Sequence, residues 1–335
     1  MKILAIESSC DETACAVVED GRRVLSNIVY TQIAIHKEYG GVVPEIAARK
    51  HIEKIGWVVE TALSEAALTK NDIDAIAVTN APGLIGALLT GVGYAKGLAY
   101  SLNLPLIPVH HIRGHIAANY ISYPDLQPPF LALVVSGGHS HIVKVNSFTD
   151  YEVIGKTRDD AAGEAFDKVS RVLGLGYPGG VEIEKAATGK TDAIKLPITE
   201  FEDAPYDFSF SGLKTKVINL INTAKQKGEE IPIPDFAASF NYTVAKTLTD
   251  KFMKAAKDHN ADKLVVAGGV SANKMLRNML SEKSKINGYE LYMPQLKYCG
   301  DNAAMIGSQA YYEYLDGNVA TPFLNAQATK NIAEK

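Results

Sequence analysis

The sequence is poor in several features that would place a protein in an obvious class. Its 335 residues include three cysteines, scattered at Cys10, Cys15 and Cys299, with no C-x-x-C pair. A disulfide framework is therefore not expected, and a reducing cytoplasm is the expected compartment. Hydrophobic residues make up 47% of the chain, but no run approaches the roughly 18 apolar residues that a membrane span needs. We expect a cytoplasmic protein that has no membrane partner.

Positive charge is also scarce. The chain has 34 Lys and Arg against 38 Asp and Glu, which gives a formal net charge of −4. Proteins that bind nucleic acid alone usually carry a basic excess, because neutralising phosphates supplies much of their affinity. If this chain acts on RNA, it needs a local basic patch or a partner that presents the RNA. Arg49, Lys50, Lys214 and Lys216 are candidate contacts, although ordinary solvated side chains are the preferred interpretation.

What the chain does contain is one α/β pattern that occurs twice. Residues 3–19 and 131–145 each read as two apolar strands around a small polar loop, which predicts a β-hairpin. Residues 74–99 and 263–280 each read as a strand, a glycine turn and a helix. The repetition predicts an α/β fold built by duplicating one unit.

A proline-rich segment at residues 120–129 separates the two copies. Such segments often mark domain boundaries, and a chain of this length favours two domains. We therefore predict an N-terminal domain over residues 1–125 and a C-terminal domain over residues 126–335, whose last helix could pack back on the first domain.

Two histidines form the first candidate site. If a helix begins after Pro108, His111 and His115 lie one turn apart on one face and could chelate a transition metal. Two ligands are too few, so a carboxylate would have to complete the site, and an arbitrary pair is more often structural. Asp301 precedes a helical run and by itself is predicted to be an N-cap. The zinc-protease motif needs Glu where Ile112 stands, which argues against peptide hydrolysis.

Glycine turns at the ends of predicted strands form the second candidate site. The turn 136–138 joins two strands, and the turn 268–269 leads to Asn273 at the start of a helix. Backbone N–H groups in such turns can surround a phosphate. Each turn alone is more simply explained by positive φ, but strand ends in α/β folds are preferred places for ligands.

An acidic group follows the second hairpin. Asp160, Glu164 and Asp167 are spaced so that one helix face would carry all three. A charged run of this kind is usually a solvated face.

Together these motifs closely resemble the bacterial form of the tRNA threonylcarbamoyl-adenosine transferase family, once labelled glycoproteases. The resemblance keeps the family's order and spacing from the first strand to about residue 310, which no single motif could do. The matching segments are residues 3–13, 40–45, 82–84, 111–115, 135–139, 161–168, 177–180, 208–215, 268–273 and 300–306.

The resemblance implies an actin/Hsp70/sugar-kinase-like fold, with two ribonuclease-H-like domains around a central cleft. It implies that His111, His115 and Asp301 hold one divalent metal ion across the two domains, iron(II) before zinc(II), and act in catalysis through it. It also implies ATP or an AMP-type nucleotide in the cleft. The implied substrate and nucleotide contacts are Val134, Val135, Ser136, Gly137, Gly138, Asp167, Gly180, Glu184 and Asn273.

At one position the chain departs from the family. Arg113 stands between the two histidines where the family usually has Glu. Because that Glu is not a ligand, metal binding should survive. The positive charge could weaken cation binding or help to hold an anionic ligand, and the sequence leaves both effects open.

The resemblance implies transfer of threonylcarbamoyl from threonylcarbamoyl-AMP to N6 of the adenosine 3′ of the anticodon (position 37). The tRNAs are those that read codons starting with adenine. A paralogous heterodimer partner and a small ATPase are the implied protein partners. The alternative is an ATP-binding regulatory module of the same superfamily without transferase activity, since one fold hosts many functions.

Overall fold

Each half of the chain forms one five-stranded sheet with helices around it. The computed structural model describes residues 1–334. Its strands are β1 (Lys2–Glu7), β2 (Glu12–Glu19), β3 (Arg23–Thr31), β4 (Ala75–Ala81), β5 (Leu106–His110), β6 (Phe130–Val135), β7 (Ser140–Val145), β8 (Tyr151–Lys156), β9 (Lys263–Ala267) and β10 (Glu290–Tyr292). Its α-helices are α1 (Ile33–Lys37), α2 (Pro44–Glu65), α3 (Ile85–Leu102), α4 (His111–Ser122), α5 (Ala162–Leu173), α6 (Gly179–Ala186), α7 (Ser211–Lys227), α8 (Ile233–Asp258), α9 (Lys274–Asn287) and α10 (Ala303–Leu315). Short 3₁₀ helices occur at Lys70–Asp72, Gly269–Ala272 and Leu296–Tyr298.

The two sheets have the same strand order. The first is ordered β3-β2-β1-β4-β5 and the second β8-β7-β6-β9-β10, so corresponding strands occupy corresponding places. Strand β1 pairs antiparallel with β2 and parallel with β4, and β6 pairs parallel with β9. The predicted duplication is confirmed, as are the strands of both predicted hairpins.

The first sheet is covered by helices on both faces. Along β1, Leu4 and Ile6 face a core shared with α2 and α3, whereas Ile3 and Ala5 face a core shared with α4 and α10. This alternation is the period of two that a strand buried on both faces shows. Because α4 and α10 lie on the same face, the residues at their N-terminal ends can meet.

The second sheet has its main core on the side of α5, α7, α8 and α9. Leu133 and Val135 of β6 pack in this core with residues of β9. Phe166 of α5 and Phe240 of α8 meet edge to face, with ring centroids 5.3 Å apart. Burial of each large apolar side chain stabilises the fold by about 1.5–3 kcal/mol, so this core holds α5 and α9 firmly where they begin.

By internal contacts the chain forms two compact units. Unit 1 comprises Met1–Pro129, Val145–Glu152 and the segment from Pro294 onward, and unit 2 comprises Phe130–Lys144 and Val153–Met293. The segment from Pro294 thus lies in unit 1, whereas the sequence-based division placed it after residue 125 in the second domain. The reason is that α10 packs its small and apolar side chains on the first sheet. Every helix in the described part of the chain is too short or too polar to cross a membrane.

Candidate functional site

The two candidate histidines lie at the start of α4, as their spacing predicted. This helix follows β5 directly, and its N-cap His110 accepts a hydrogen bond from Ile112 N through Nδ1 at 3.2 Å. His111 and His115 are both buried, one turn apart, with ring centroids 4.6 Å apart.

Asp301 supplies the carboxylate. The prediction that it caps the following helix is wrong, because Asn302 is the N-cap and accepts a hydrogen bond from Met305 N at 3.0 Å. Asp301 faces the histidines instead, with Oδ1 3.2 Å from His115 Nε2 and 3.5 Å from His111 Nε2. All three side chains belong to unit 1. The site is therefore built within one unit, not across two domains as the resemblance implied.

This donor set fits a transition metal ion. The three ligand atoms all lie within 4.8 Å of one another. Ligands about 2.1 Å from a tetrahedral ion lie about 3.4 Å apart, close to the two separations that involve Asp301. His115 Nδ1 is buried without a hydrogen-bond partner among the described residues, and Nε2 faces only the Asp301 carboxylate, so a metal bond at Nε2 would satisfy a buried polar atom. Three protein ligands leave one position open, as in catalytic sites.

Glu7, at the end of β1, contacts Nδ1 of His111, the ring nitrogen that does not face Asp301. Its Oε2 lies 3.0 Å from His111 Nδ1 and accepts a hydrogen bond from Thr79 Oγ1 at 2.6 Å. Ser9 Oγ lies 3.1 Å from the same nitrogen, and Ser9 N donates to the other Glu7 oxygen. A carboxylate can only accept, so it keeps the proton on Nδ1 and leaves Nε2 free to bind a metal. The sequence analysis missed Glu7 and Ser9 as site residues; a carboxylate that ends a buried apolar strand was the available signal.

Electrostatics favour positive charge at this point. Burial lowers the pKa of His111, but the carboxylates of Glu7 and Asp301 outweigh burial and raise that pKa well above its usual value. At His115 burial dominates and lowers the pKa. Burial raises the pKa of Asp301, but the His111 charge outweighs it, and the net shift is downward. The carboxylates of Glu7 and Asp301 therefore stabilise positive charge at His111.

We expect Glu7→Gln to weaken metal binding about tenfold to a hundredfold, because an outer carboxylate that orients a histidine ligand contributes an effect of that size. The isosteric side chain keeps the packing at the end of β1. Competition titration with Zn²⁺ and a chromophoric chelator measures the change. Glu65→Gln, exposed at the end of α2, is the matched control. Equal affinities for Glu7→Gln and the wild type would show that Glu7 does not support a metal ligand.

Arg113 does not line the metal centre. Its guanidinium donates to Glu313 Oε1 at 2.9 Å, to Ile332 O at 2.9 and 2.7 Å, and to Glu334 O at 2.8 Å. The side chains of Arg113 and Glu313 are each 3% exposed. The positive charge of Arg113, whose effect the sequence left open, is thus neutralised by Glu313. The guanidinium faces the C-terminal segment.

In unit 2 the turn after β6 rests on the start of α5. Gly163 N donates to Ser136 O at 3.2 Å, and Glu164 N donates to Gly137 O at 3.1 Å. A Cβ at position 163 would lie 2.7 Å from Ser136 O, so the contact requires glycine. The side chains of Val134 and Val135 are fully buried. These two residues can therefore meet a ligand only through their backbone.

The second glycine turn packs on the same strand. Gly268 has φ +89°, and a Cβ there would overlap Val135 O. Asn273 lies at the start of α9, as predicted, and it caps the helix by accepting from Leu276 N at 3.0 Å, while its Nδ2 donates to Asn241 Oδ1 at 2.8 Å. Both ends of the Asn273 amide thus contribute to the fold.

Hydrogen bonds connect the remaining predicted contacts of unit 2. Asp167 Oδ1 accepts from Gly179 N at 2.7 Å, next to Gly180, and Glu184 Oε1 accepts from Lys274 N at 3.1 Å, next to Asn273. A Cβ at Gly180 would meet no atom within 4 Å. The structure thus brings α5, α6 and α9 together at the ends of β6 and β9.

The predicted acidic face does not form. Asp160 precedes α5 and forms ion pairs with Lys168 and Lys214, and Glu164 also pairs with Lys168. Asp167 instead bonds the start of α6. The prediction was wrong because α5 begins only at Ala162.

Solved structures share the fold of this chain over nearly its whole length. Full-length HypF, in its phosphate- and nucleotide-bound form, superposes with a TM-score of 0.62 at 17% identity, over 98% of this chain and 47% of HypF. This chain thus spans about half the length of HypF. Component A of (R)-2-hydroxyglutaryl-CoA dehydratase from Acidaminococcus fermentans gives 0.54 at 14% identity, with coverages of 94% and 99%. The ROK hexokinase from Thermus thermophilus gives 0.50 at 15%, with 95% and 100%. The protein is of the actin/Hsp70/sugar-kinase-like fold class and carries a His-His-Asp centre.

Residues 23–308 match the family described as tRNA N6-adenosine threonylcarbamoyltransferase. The chain belongs to this family. A relative of that name from Clostridium perfringens is 57% identical over 334 residues, which are 99% of this chain and 98% of the relative. Another from Clostridium novyi is 56% identical over 337 residues, with coverages of 100% and 99%.

Proposed function

We propose that this protein transfers a threonylcarbamoyl group from threonylcarbamoyl-AMP to N6 of the adenosine 3′ of the anticodon, in tRNAs that read codons starting with adenine. The observation that carries the proposal is the meeting of His111, His115 and Asp301 in a chain of this family. The full-length match to relatives that bear the name of this activity supports it.

The reaction is a group transfer at a carbamoyl carbon. The adenosine N6 amine attacks that carbon, a C–N bond forms, and the bond between the carbon and the phosphate oxygen breaks. AMP leaves with the bonding electron pair, and the amine gives up one proton to solvent. Because the lone pair of this amine is shared with the purine ring, the amine is a weak nucleophile. Holding the two reactants in contact must therefore supply much of the rate.

His111, His115 and Asp301 would hold the divalent ion, iron(II) or zinc(II), and the ion would supply a Lewis acid that polarises an oxygen of the donor. Glu7 and Ser9 fix the ring of His111 so that Nε2 faces this position. Burial lowers the pKa of His115, which favours the neutral imidazole that a metal requires.

In unit 2 the glycine turns bind the adenylate part of the donor, or ATP. Gly137 and Gly138 present backbone N–H groups with no side chain in the way, and the exposed position of both leaves them open to a phosphate. Val134, Val135 and Ser136 shape the turn. Asp167, Glu184 and Asn273 hold the neighbouring backbone in place, and the bare Cα of Gly180 leaves space beside them.

The protein acts in the cytoplasm with tRNA, a paralogous heterodimer partner and a small ATPase. A net charge of −4 gives it no basic excess for binding RNA alone. Helices α2 and α3 expose large apolar side chains, which single out a protein-binding surface. These are Ile52, Trp57, Ile85 and Leu89, each 48–67% exposed.

The proposal is tested by supplying preformed threonylcarbamoyl-AMP and unmodified tRNA to the purified protein with its partner proteins. Mass spectrometry of the digested RNA should find one modified adenosine for each AMP released. A tRNA with guanosine at the same position is the control and should stay unmodified. ATP hydrolysis without any modified adenosine would contradict the proposal and favour a regulatory nucleotide-binding module.

A further inference from the structure

The chain ends in an extended segment, the C-terminal strap, which we define as residues 316–334. It passes the start of β5 and the end of β4 in unit 1 and reaches α4. Backbone and side-chain hydrogen bonds hold it along its length: Ala320 N to Leu106 O, Lys96 Nζ to Leu324 O, Gln327 N to Asn80 O, and Gly83 N to Ala328 O. The strap thus runs from the start of β5 to the end of β4, and then to the helix that carries both candidate histidine ligands.

The far end of the strap is held by His110, just before His111, and by Arg113, two residues after it. His110 Nε2 donates to Lys330 O at 3.1 Å, and since Nδ1 of the same ring caps α4, one side chain joins the strap to the first turn. Arg113 donates to the carbonyls of Ile332 and Glu334. A cavity of about 360 Å³ bordered by these side chains lies beside the strap. Polar contacts therefore hold the strap here, together with the buried side chain of Ile332.

Arg113 also joins the two helices that bring the candidate ligands together. Its ion pair with Glu313 connects α4 to α10, whose N-terminal end follows Asp301. Glu313 is itself fixed by hydrogen bonds from Gln309 and Asn318, and the latter lies in the strap. A Cβ at Gly114 would lie 2.6 Å from Ile306 Cδ1, so the helices are in close contact beside this pair. The strap, the ion pair between Arg113 and Glu313, and the contact between α4 and α10 are therefore linked by direct contacts.

We propose that Arg113, Glu313 and the C-terminal strap are positioning elements of the metal centre, so that seating of the strap and binding of the ion stabilise each other. The inference rests on the metal centre of the proposed function. Arg113 and Glu313 fix the distance between α4 and α10, and with it the separation of His111 and His115 from Asp301. Since coupling between two binding events is reciprocal, an ion that draws α4 and α10 together must also hold the strap more firmly.

Hydrogen exchange on the metal-free, full-length wild type tests whether binding of the ion stabilises the strap. Adding Zn²⁺ alone should slow amide exchange in residues 326–334, although none of them is a ligand. The loop between α7 and α8, around residue 230, is the internal control and should not change. Exchange in the strap that is identical with and without bound Zn²⁺ would overturn the inference.

Substitutions test whether the ion pair and the strap strengthen binding of the ion. Glu313→Gln removes the ionic tie and keeps the shape, and Arg113→Lys keeps the charge but loses the fork that bonds Ile332 and Glu334. Each should raise the Kd for Zn²⁺ about tenfold, the lower end of the effect of supporting residues, and should weaken the Zn²⁺-linked protection of the strap. Glu19→Gln serves as the control. It breaks the ion pair with Arg23 at the end of β2 that lies far from Glu7 and His111.

The outcomes separate this inference from the proposed function. If the wild type binds one Zn²⁺ and transfers the group, but both variants bind equally well with folded spectra, only the positioning role is overturned. If the wild type binds no ion at all, the metal centre and the positioning role are both overturned. Weakened binding in both variants with an unaffected control supports the coupling.

Discussion

His115→Ala is expected to abolish stoichiometric metal binding and to lower the rate of threonylcarbamoyl transfer about a thousandfold. The substitution removes one of the three proposed ligands, and two alone would not hold an ion firmly. A Lewis acid at the reacting group supplies several kcal/mol of transition-state stabilisation, and each 1.36 kcal/mol is about tenfold in rate. Metal content by mass spectrometry and single-turnover transfer measure the two effects.

Asn119→Ala is the control for His115→Ala. Asn119 is buried, lies one turn further along α4, and bonds Ile116 O within the helix. Its loss should disturb the packing of the helix to a similar degree but leave metal content near one ion per chain. A metal-free Asn119→Ala would attribute the His115→Ala effect to helix damage. Full transfer by metal-free His115→Ala would contradict the assignment of the ligand.

The second large effect is expected from Gly268→Ala. At φ +89° an L side chain is strained, and the added Cβ would overlap the Val135 carbonyl at the end of β6. The strain and the forced shift of a central strand together should lower the free energy of unfolding by about 2–4 kcal/mol. Because the same strand end forms the turn 136–138, AMP and ATP binding should be lost as well. Denaturant unfolding and calorimetric titration measure these changes.

Gly288→Ala is the control that separates backbone strain at positive φ from the overlap of an added Cβ with a neighbouring atom. Gly288 ends α9 with φ +77°, but a Cβ there would meet no atom within 4 Å. Only the strain of the left-handed backbone applies, about 1–2 kcal/mol, and nucleotide binding should be retained. Equal losses in the two variants would mean that the contact between Gly268 and Val135 has no role of its own.

Local patterns were sufficient to predict the duplicated elements of the fold, whereas the complete fold was implied by the family resemblance. Alternating or continuous apolar runs ended by small polar loops marked β1, β2, β6 and β7, and glycine turns marked the starts of α3 and α9. The duplication followed because the same sequence of elements occurs twice, and both sheets show the same strand order. These features depend on neighbours in the chain, so the sequence contains them directly.

Long-range partners were harder to predict. Two adjacent residues, Asp301 and Asn302, are both good N-caps, and only the packing of α10 against α4 decides which one caps the helix. Likewise, the effect of Arg113 depends on Glu313, which is 200 residues away in the chain. Glu7 was missed because its role comes from the imidazole that the fold places beside it.

The central claim is that the centre formed by His111, His115 and Asp301 carries threonylcarbamoyl transfer. The most direct test removes all metal from the wild type, restores it in measured steps of iron(II) or zinc(II), and follows single-turnover transfer from threonylcarbamoyl-AMP to tRNA with the partner proteins present. We expect a transfer rate that rises in proportion to bound metal and levels off at one ion per chain. Full transfer by the metal-free protein would contradict the claim.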